Sequence, residues 1–236
     1  MNIIHSSLTD DLAASLGTCG YARLPLLDPA DCRELAALYD QEDAFRSRVI
    51  MQHHGYGRGD YKYLSYPLPD LVTRLRDALY PALAAIANDW AVQLGETRRF
   101  PDRHQDYLQL CHAAGQTRPT PLLLRYHEGD YNCLHQDLYG DLVFPLQLTI
   151  LLSEPGIDFT GGEFLLIEQR PRRQSRGEAI VLTLGEAVIF PVRHRPVRGT
   201  KGMFRATMRH GVSSVRPGTS RACIRQTLGI IFHDAV

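Results

Sequence analysis

The rhythm of hydrophobic and polar positions changes near residue 119 of this 236-residue chain. Before that point the spacing is mostly helical. Leu71, Leu75, Leu79, Leu83 and Ile86 recur on one helical face, which predicts a long amphipathic helix over 69–94, with Pro81 placed to kink it. Asp28 or Asp31 suits the cap of a second helix running through Cys32 to Tyr39, and 21–26 reads as a short strand. Between these helices, 45–66 is rich in Gly, Tyr, Arg and His and follows neither period. After residue 119, short β-like runs alternate with turn residues, predicting strands at 122–127, 131–136, 144–152, 162–168, 179–184, 186–192, 204–212 and 224–232. Gly129, Pro155–Gly156, Gly161–Gly162, Gly177, Gly185, Gly199–Gly202 and Pro217–Gly218 mark the breaks. Strands in series without helices between them predict an α+β fold. Its core is a double-stranded β-helix, or jelly roll, over 119–236, with a mainly helical region over 1–118 packed on it as part of one compact unit.

Composition narrows what such a core does. Formal net charge is zero, so no global field draws the protein to nucleic acid or to an anionic membrane. Any nucleic-acid grip has to come from a local patch. The five cysteines are scattered without a CxxC pair, against both a disulfide framework and a zinc–thiolate site. No apolar run approaches the roughly 20 residues that span a bilayer, and Met1 to Thr9 lacks a basic stretch followed by an apolar one. These readings predict a cytoplasmic protein that works in a reducing compartment.

The chemistry concentrates in one segment, Arg125-Tyr-His-Glu-Gly-Asp-Tyr-Asn-Cys-Leu-His-Gln-Asp137. Residues two apart on a strand share a face, so His135 and Asp137 can reach one metal ion. Imidazole plus carboxylate suits iron(II), whereas thiolates would select softer metals. One strand cannot supply three ligands on one face of a metal, so the third comes from elsewhere. His210 in Met208-Arg-His-Gly-Val-Ser-Ser-Val215 is the first candidate, and His194, directly after an apolar strand, is its rival. A lone His-x-Asp pair is weak evidence, since a surface turn produces it by chance.

The surrounding residues add weight. Tyr126, Gly129, His135 and Asp137 stand in a spacing that resembles the iron(II)- and 2-oxoglutarate-dependent dioxygenases, AlkB-like and prolyl 4-hydroxylase-like enzymes among them. Phe159-Thr-Gly-Gly-Glu-Phe164, Gly185-Glu-Ala-Val-Ile-Phe190 and the segment from His210 to Gly218 are similar to core strands of that superfamily, in the same order. Longer phrases, including Phe45-Arg-Ser-Arg-Val49 and Tyr61-Lys-Tyr-Leu-Ser-Tyr-Pro-Leu-Pro69, resemble a bacterial group of these oxygenases labelled for oxidation of damaged DNA. The resemblance implies iron(II) held by His135, Asp137 and His210, with 2-oxoglutarate and dioxygen as co-substrates. It also implies a basic residue for the distal 2-oxoglutarate carboxylate about ten positions after the distal histidine. Here the chain departs from the pattern: Arg221 and Arg225 lie eleven and fifteen positions beyond His210. Arg225, in a phrase that matches the final strand of the bacterial group, is favoured, and Tyr126 is a second candidate contact.

Two basic segments are candidates for substrate. Arg170, Arg172, Arg173 and Arg176 crowd one predicted hairpin loop, and 45–66 interleaves Arg and Lys with Tyr in a stretch whose glycines would let it close as a lid. Arginine on phosphate and rings on unstacked bases would grip nucleic acid, with Tyr139, just beyond Asp137, as a further contact. A solvated loop and a folded-in segment are the bland alternatives. The expected substrate is a nucleobase in single-stranded or damaged nucleic acid. Hydroxylation of a protein side chain or small molecule is the alternative, and a non-catalytic metal-binding jelly roll the third.

Overall fold

The structure, a computed structural model, describes residues 6–236; His5 and the start of the Met1–Thr9 segment lie outside the described residues. In chain order the elements are α1 (Ser6–Thr18), β1 (Ala22–Pro25), α2 (Pro29–Ala37), β2 (Phe45–Ile50), β3 (Gly57–Arg58), β4 (Asp60–Leu64), α3 (Asp70–Gln93) and α4 (His104–Ala113). There follow β5 (Leu122–Tyr126), β6 (Tyr131–His135), β7 (Leu146–Leu151), β8 (Phe159–Gly161), β9 (Phe164–Gln169), β10 (Arg176–Ile180), β11 (Glu186–Pro191), β12 (His194–Gly199), β13 (Gly202–Val212), β14 (Val215–Pro217) and β15 (Arg225–Ile230).

Two antiparallel sheets face each other as a jelly roll. The larger runs β1-β11-β7-β15-β5-β4-β2, and the smaller β10-β9-β13-β6-β3 with β12 beside β13. Strand alternation divides the larger sheet into two chemistries. Leu123, Leu148, Ile150, Leu228 and Ile230 turn outward into one apolar cluster with Leu16, Leu35, Leu83 and Tyr107 of the four helices. Each such fully buried Leu or Ile contributes roughly 1.5–3 kcal/mol through burial. Their neighbours Tyr126, Gln147, Thr149, Arg225 and Thr227 turn inward and line the space between the sheets. The far end of that space closes on Phe159, Phe164, Leu166, Val188, Phe190 and Met208.

Several local expectations resolve against this frame. The cap of α2 is Asp28, whose Oδ1 accepts from the amides of Ala30 and Asp31 at 2.7 and 2.9 Å. Helix α3 runs unbroken through Pro81 and buries the predicted stripe. Segment 45–66 does not lie over the sheets as a lid. It forms β2, β3 and β4, of which β4 pairs with β5 and β3 with β6, so both halves of the chain share both sheets. Its polar, glycine-rich strands sit toward the sheet edges and carry a register shift between Phe45 and Ser47, which hides their period. The strand predicted at 179–184 is instead Arg176–Ile180, paired through Gly177 with Ile167. The apolar run that suggested the later register leaves its strand and buries Leu182 between the sheets. Strands β8, β12 and β14, three to six residues long, were too short or too polar to predict.

Candidate metal centre

Strands β6 and β13 pair so that His135 stands opposite His210, with ring centroids 4.2 Å apart. The chain leaves β6 at His135 and brings the Asp137 carboxylate across both rings. His135 Nε2 lies 3.6 Å from Oδ1 and His210 Nε2 lies 3.3 Å from Oδ2. All three residues offer a ligand atom within 4.8 Å of the others. The His135 Nδ1–H donates to the Cys133 carbonyl at 2.8 Å, which leaves the Nε2 lone pair facing Asp137. Phe164 and Phe190 pack against the His210 ring and fix its plane.

Electrostatics ready these groups for a cation. Burial alone would raise the Asp137 carboxyl. Its hydrogen bond to His210, the neighbouring imidazoles and the Gln147 amide outweigh burial and hold it well below the usual carboxylate range. Burial, with His135 beside it, lowers His210. A carboxylate and two imidazoles are the donor set that suits a divalent ion such as iron(II), and their convergence within 4.8 Å fits one.

The same three residues line a cavity of about 420 Å³ whose inner wall holds Tyr126, Asn132, Thr149, Thr227 and Arg225. Arg225 is 2% exposed. Its Nε and Nη1 are buried without a hydrogen-bond partner among the described residues. Burial pushes its pKa down to about 10, with Tyr126 and Glu163 opposing the shift, so it remains a cation at neutral pH. Its guanidinium lies beside the rings of Tyr126 and Phe159, at 5.5 and 5.8 Å from their centroids. Gly162, at φ +60°, makes room for it: a Cβ there would come 2.7 Å from Arg225 Cδ. A buried guanidinium with unpaired donors on a cavity wall fits a carboxylate ligand, which it can grip by a fork of two hydrogen bonds. The Tyr126 phenol accepts from Asn132 Nδ2 at 3.3 Å, and burial pushes it up to about 12, so it stays protonated.

The other candidates separate cleanly. Arg221 is exposed in a bend before β15 and lines no part of the cavity, because the final strand begins only at Arg225. Arg170, Arg172 and Arg173 fall in the β9–β10 turn, outside the cavity lining, and Arg170 is tied to Glu168. Tyr139 does line the cavity, but its hydroxyl donates to Asp137 Oδ1 at 3.0 Å. His194 opens β12 opposite Thr207, away from the cavity lining. His127 and His233 are likewise outside it.

Gln147, whose amide donates to Asp137 Oδ2 at 2.8 Å, was not foreseen. Its signal was there: Gln147 and Thr149 alternate with Leu146, Leu148 and Ile150, polar positions on one face of an otherwise apolar strand. Tyr63, whose hydroxyl donates to Tyr139 at 2.9 Å from 76 residues earlier in the chain, left no local trace.

The jelly roll, the His/Asp/His cluster and the buried arginine in one cavity fit iron(II) and 2-oxoglutarate. In fold the chain is similar to a Pseudomonas putida prolyl-4-hydroxylase, at TM-score 0.50 and 15% identity over 94% of this chain and 96% of that one. It is also similar in fold to the non-heme alpha ketoglutarate dependent epimerase SnoN from nogalamycin biosynthesis, at TM-score 0.53 and 15% identity over 95% and 83%. The chain belongs to the Oxygenase-NA family, described as oxygenases catalysing oxidative methylation of damaged DNA, whose model matches residues 59–235. The uncharacterized proteins Rv2227 and MT2286 of two Mycobacterium tuberculosis strains are each 53% identical to it over 169 residues, 72% of this chain and 70% of theirs. Among the described residues no helix is long and apolar enough to cross a membrane.

Proposed function

We propose that the protein oxidises a nucleobase, or an alkyl group on one, in damaged nucleic acid, holding iron(II) on His135, Asp137 and His210 and 2-oxoglutarate on Arg225 and Tyr126. The observation that carries the reading is the unpartnered Arg225 guanidinium in the same cavity as the three clustered donors. When bound, iron and 2-oxoglutarate supply dioxygen activation: one oxygen atom leaves in succinate as 2-oxoglutarate loses carbon dioxide, and the other enters the substrate as a hydroxyl.

This chain's residues do the rest. Arg225 pairs with the distal carboxylate and stays charged while doing so. The Tyr126 hydroxyl, protonated and held by Asn132, has its donor available to the same co-substrate. Gln147 and Tyr139 keep the Asp137 carboxylate turned toward the two imidazoles. Phe164 and Phe190 keep water from the back of His210. Where the oxidised group is N-alkyl, the hydroxylated product breaks at its C–N bond, releasing an aldehyde as the hydroxyl proton passes to the base nitrogen.

The substrate reading is supported by the family description and by the lining of the cavity mouth. Tyr56, Tyr61, Leu134 and Leu138 offer a neutral, partly aromatic wall suited to a planar ring. The test is anaerobic titration of apoprotein with iron(II) and then 2-oxoglutarate, followed by a panel of methylated single-stranded DNA, RNA and peptides with succinate as readout. A metal-to-ligand absorption band and stimulation by methylated DNA are expected. A band with stimulation by peptides alone would overturn the substrate, and no band at saturating metal would overturn the chemistry.

A further inference from the structure

Beyond the three donors, the Asp137 carboxylate is held from both sides by neutral donors. Gln147 Nε2 donates to Oδ2 at 2.8 Å, and the Tyr139 hydroxyl donates to Oδ1 at 3.0 Å. Tyr139 in turn accepts from Tyr63 at 2.9 Å. Tyr63 belongs to β4, on the N-terminal side of the chain, and lies 8% exposed at the sheet. It is clamped in place: the Arg46 guanidinium covers its ring at 4.4 Å, and Tyr61 meets it edge-on at 5.4 Å. Arg46 is itself anchored by donation from Nε to the Pro119 carbonyl at 2.9 Å. Two phenols therefore point their hydrogens in series at one oxygen of the carboxylate.

We propose that Tyr139 and Tyr63 are positioning residues for the metal centre, a phenol relay through which the N-terminal strands fix the rotation of Asp137. The inference rests on the metal reading above. A carboxylate with a donor on each oxygen cannot turn about its Cβ–Cγ bond without breaking both bonds, so it presents one oxygen in a set direction. Without the Tyr139 hydroxyl only Gln147 holds the carboxylate, at Oδ2, and Oδ1 loses its set direction. Outer hydrogen bonds of this kind orient a ligand and tune its basicity. The segment considered as a substrate lid thus reaches the metal donors through Tyr63 and Tyr139.

The test is titration of the apoprotein with Co(II), reading both affinity and visible absorption bands. It is run on wild type, Tyr139→Phe, Tyr63→Phe, the double variant and Tyr107→Phe. Tyr107 is a buried tyrosine of the helical layer whose hydroxyl has no hydrogen-bond partner among the described residues, and its variant reports the cost of removing a distant phenol. Tyr139→Phe is expected to weaken Co(II) binding roughly 10–100-fold and to move the bands. Tyr63→Phe moves the same bands by less, and the double variant matches Tyr139→Phe alone, since Tyr63 acts only through Tyr139. Thermal unfolding checks that each variant is folded. Wild-type affinity and bands in Tyr139→Phe overturn the relay, as does a Tyr63→Phe effect that persists in full in the Tyr139→Phe background. A wild type that binds no Co(II) removes the metal reading itself, and the relay with it.

Discussion

Two clusters of histidine and aspartate among the described residues are built to opposite ends. In one, Asp234 is fully buried and accepts from Arg76 Nη2 at 3.3 Å, from the Tyr66 hydroxyl at 2.7 Å and from His112 Nε2 at 2.8 Å. Its backbone carbonyl accepts from Gln116 at 2.6 Å. Every contact there joins a donor to an acceptor, and together they lash α3, α4 and the C-terminal segment to one another. In the other, the Nε2 atoms of His135 and His210 converge on the Asp137 oxygens at 3.6 and 3.3 Å, and the Nε and Nη1 of Arg225 in the same cavity have no partner among the described residues. Three converging ligand atoms beside an unpaired guanidinium leave binding capacity for a cation and an anionic ligand. Chemistry lies where the hydrogen-bonding capacity of the residues is unused, not where the residue types are merely clustered.

The largest effect that could break this contrast comes from His210→Ala. The variant should keep a cooperative unfolding transition while losing the iron(II)/2-oxoglutarate absorption band and all succinate formation; His194→Ala should keep both. If instead His194→Ala abolished the band, the metal donors would be wrongly assigned on β13. The mirror experiment is Asp234→Ala, which leaves the buried Arg76 without its carboxylate. Breaking one side of a buried ion pair costs about 3–5 kcal/mol, so urea unfolding should shift by that much while metal affinity per folded molecule stays at the wild-type value. A loss of metal affinity matching the loss of stability would mean that the two clusters are one system.

How far the contrast could be read without a structure depends on how local each part is. His135, Asp137 and Tyr126 lie within one short segment, which made them legible, although Asp137 falls just beyond β6 and so does not follow the strand parity expected of it. His210 and Arg225 followed from their order along the chain. Strand β13 buries one face and varies the other, so its period was visible, whereas β15 is buried throughout and β6 shows no buried position. Gln147 was readable from its polar face in an apolar run and was passed over, since a lone polar residue in a strand has many causes. Tyr63 was not readable: its segment alternates weakly, sits toward the sheet edge, and meets Tyr139 only because β4 pairs with β5. The Asp234 cluster joins residues from Tyr66 to Asp234 and exists only in three dimensions. The crowd of arginines at 170–176 is of the opposite kind: proximity in sequence there reflects a turn between β9 and β10, with Arg170 held by Glu168.

A smaller effect sharpens the claim about unused capacity. Arg225→Lys keeps the positive charge but replaces a planar fork by a single ammonium. One hydrogen bond to a charged group is worth about 1.5–3 kcal/mol, so KM for 2-oxoglutarate should rise roughly 10–100-fold, with a smaller change in kcat. Arg221→Ala, altering an exposed loop residue, should leave both constants unchanged. Equal effects from the two variants would remove the preference for Arg225.

The smallest effect concerns His233, which sits beside the closed cluster yet does not join it. The ring is fully buried, its Nδ1 accepts from the Phe144 amide at 3.2 Å, and its Nε2 has no partner among the described residues. Burial first, and the nearby Arg76 cation second, push its pKa down to about 4. An unfolded histidine titrates near 6.5, so between about 6.5 and 4 the unfolded chain binds a proton that the folded one refuses. The stability that His233 contributes is complete above about pH 6.5 and falls as pH drops toward 4, at about 1.4 kcal/mol per pH unit while that difference of one proton lasts. Measured on metal-free protein, the thermal midpoint of wild type should fall across this window more steeply than that of His233→Gln. The Gln side chain can still accept from Phe144 but cannot take up the proton. Equal slopes would show that the His233 ring is already charged in the folded state, and that it belongs with the ion-paired cluster rather than apart from it.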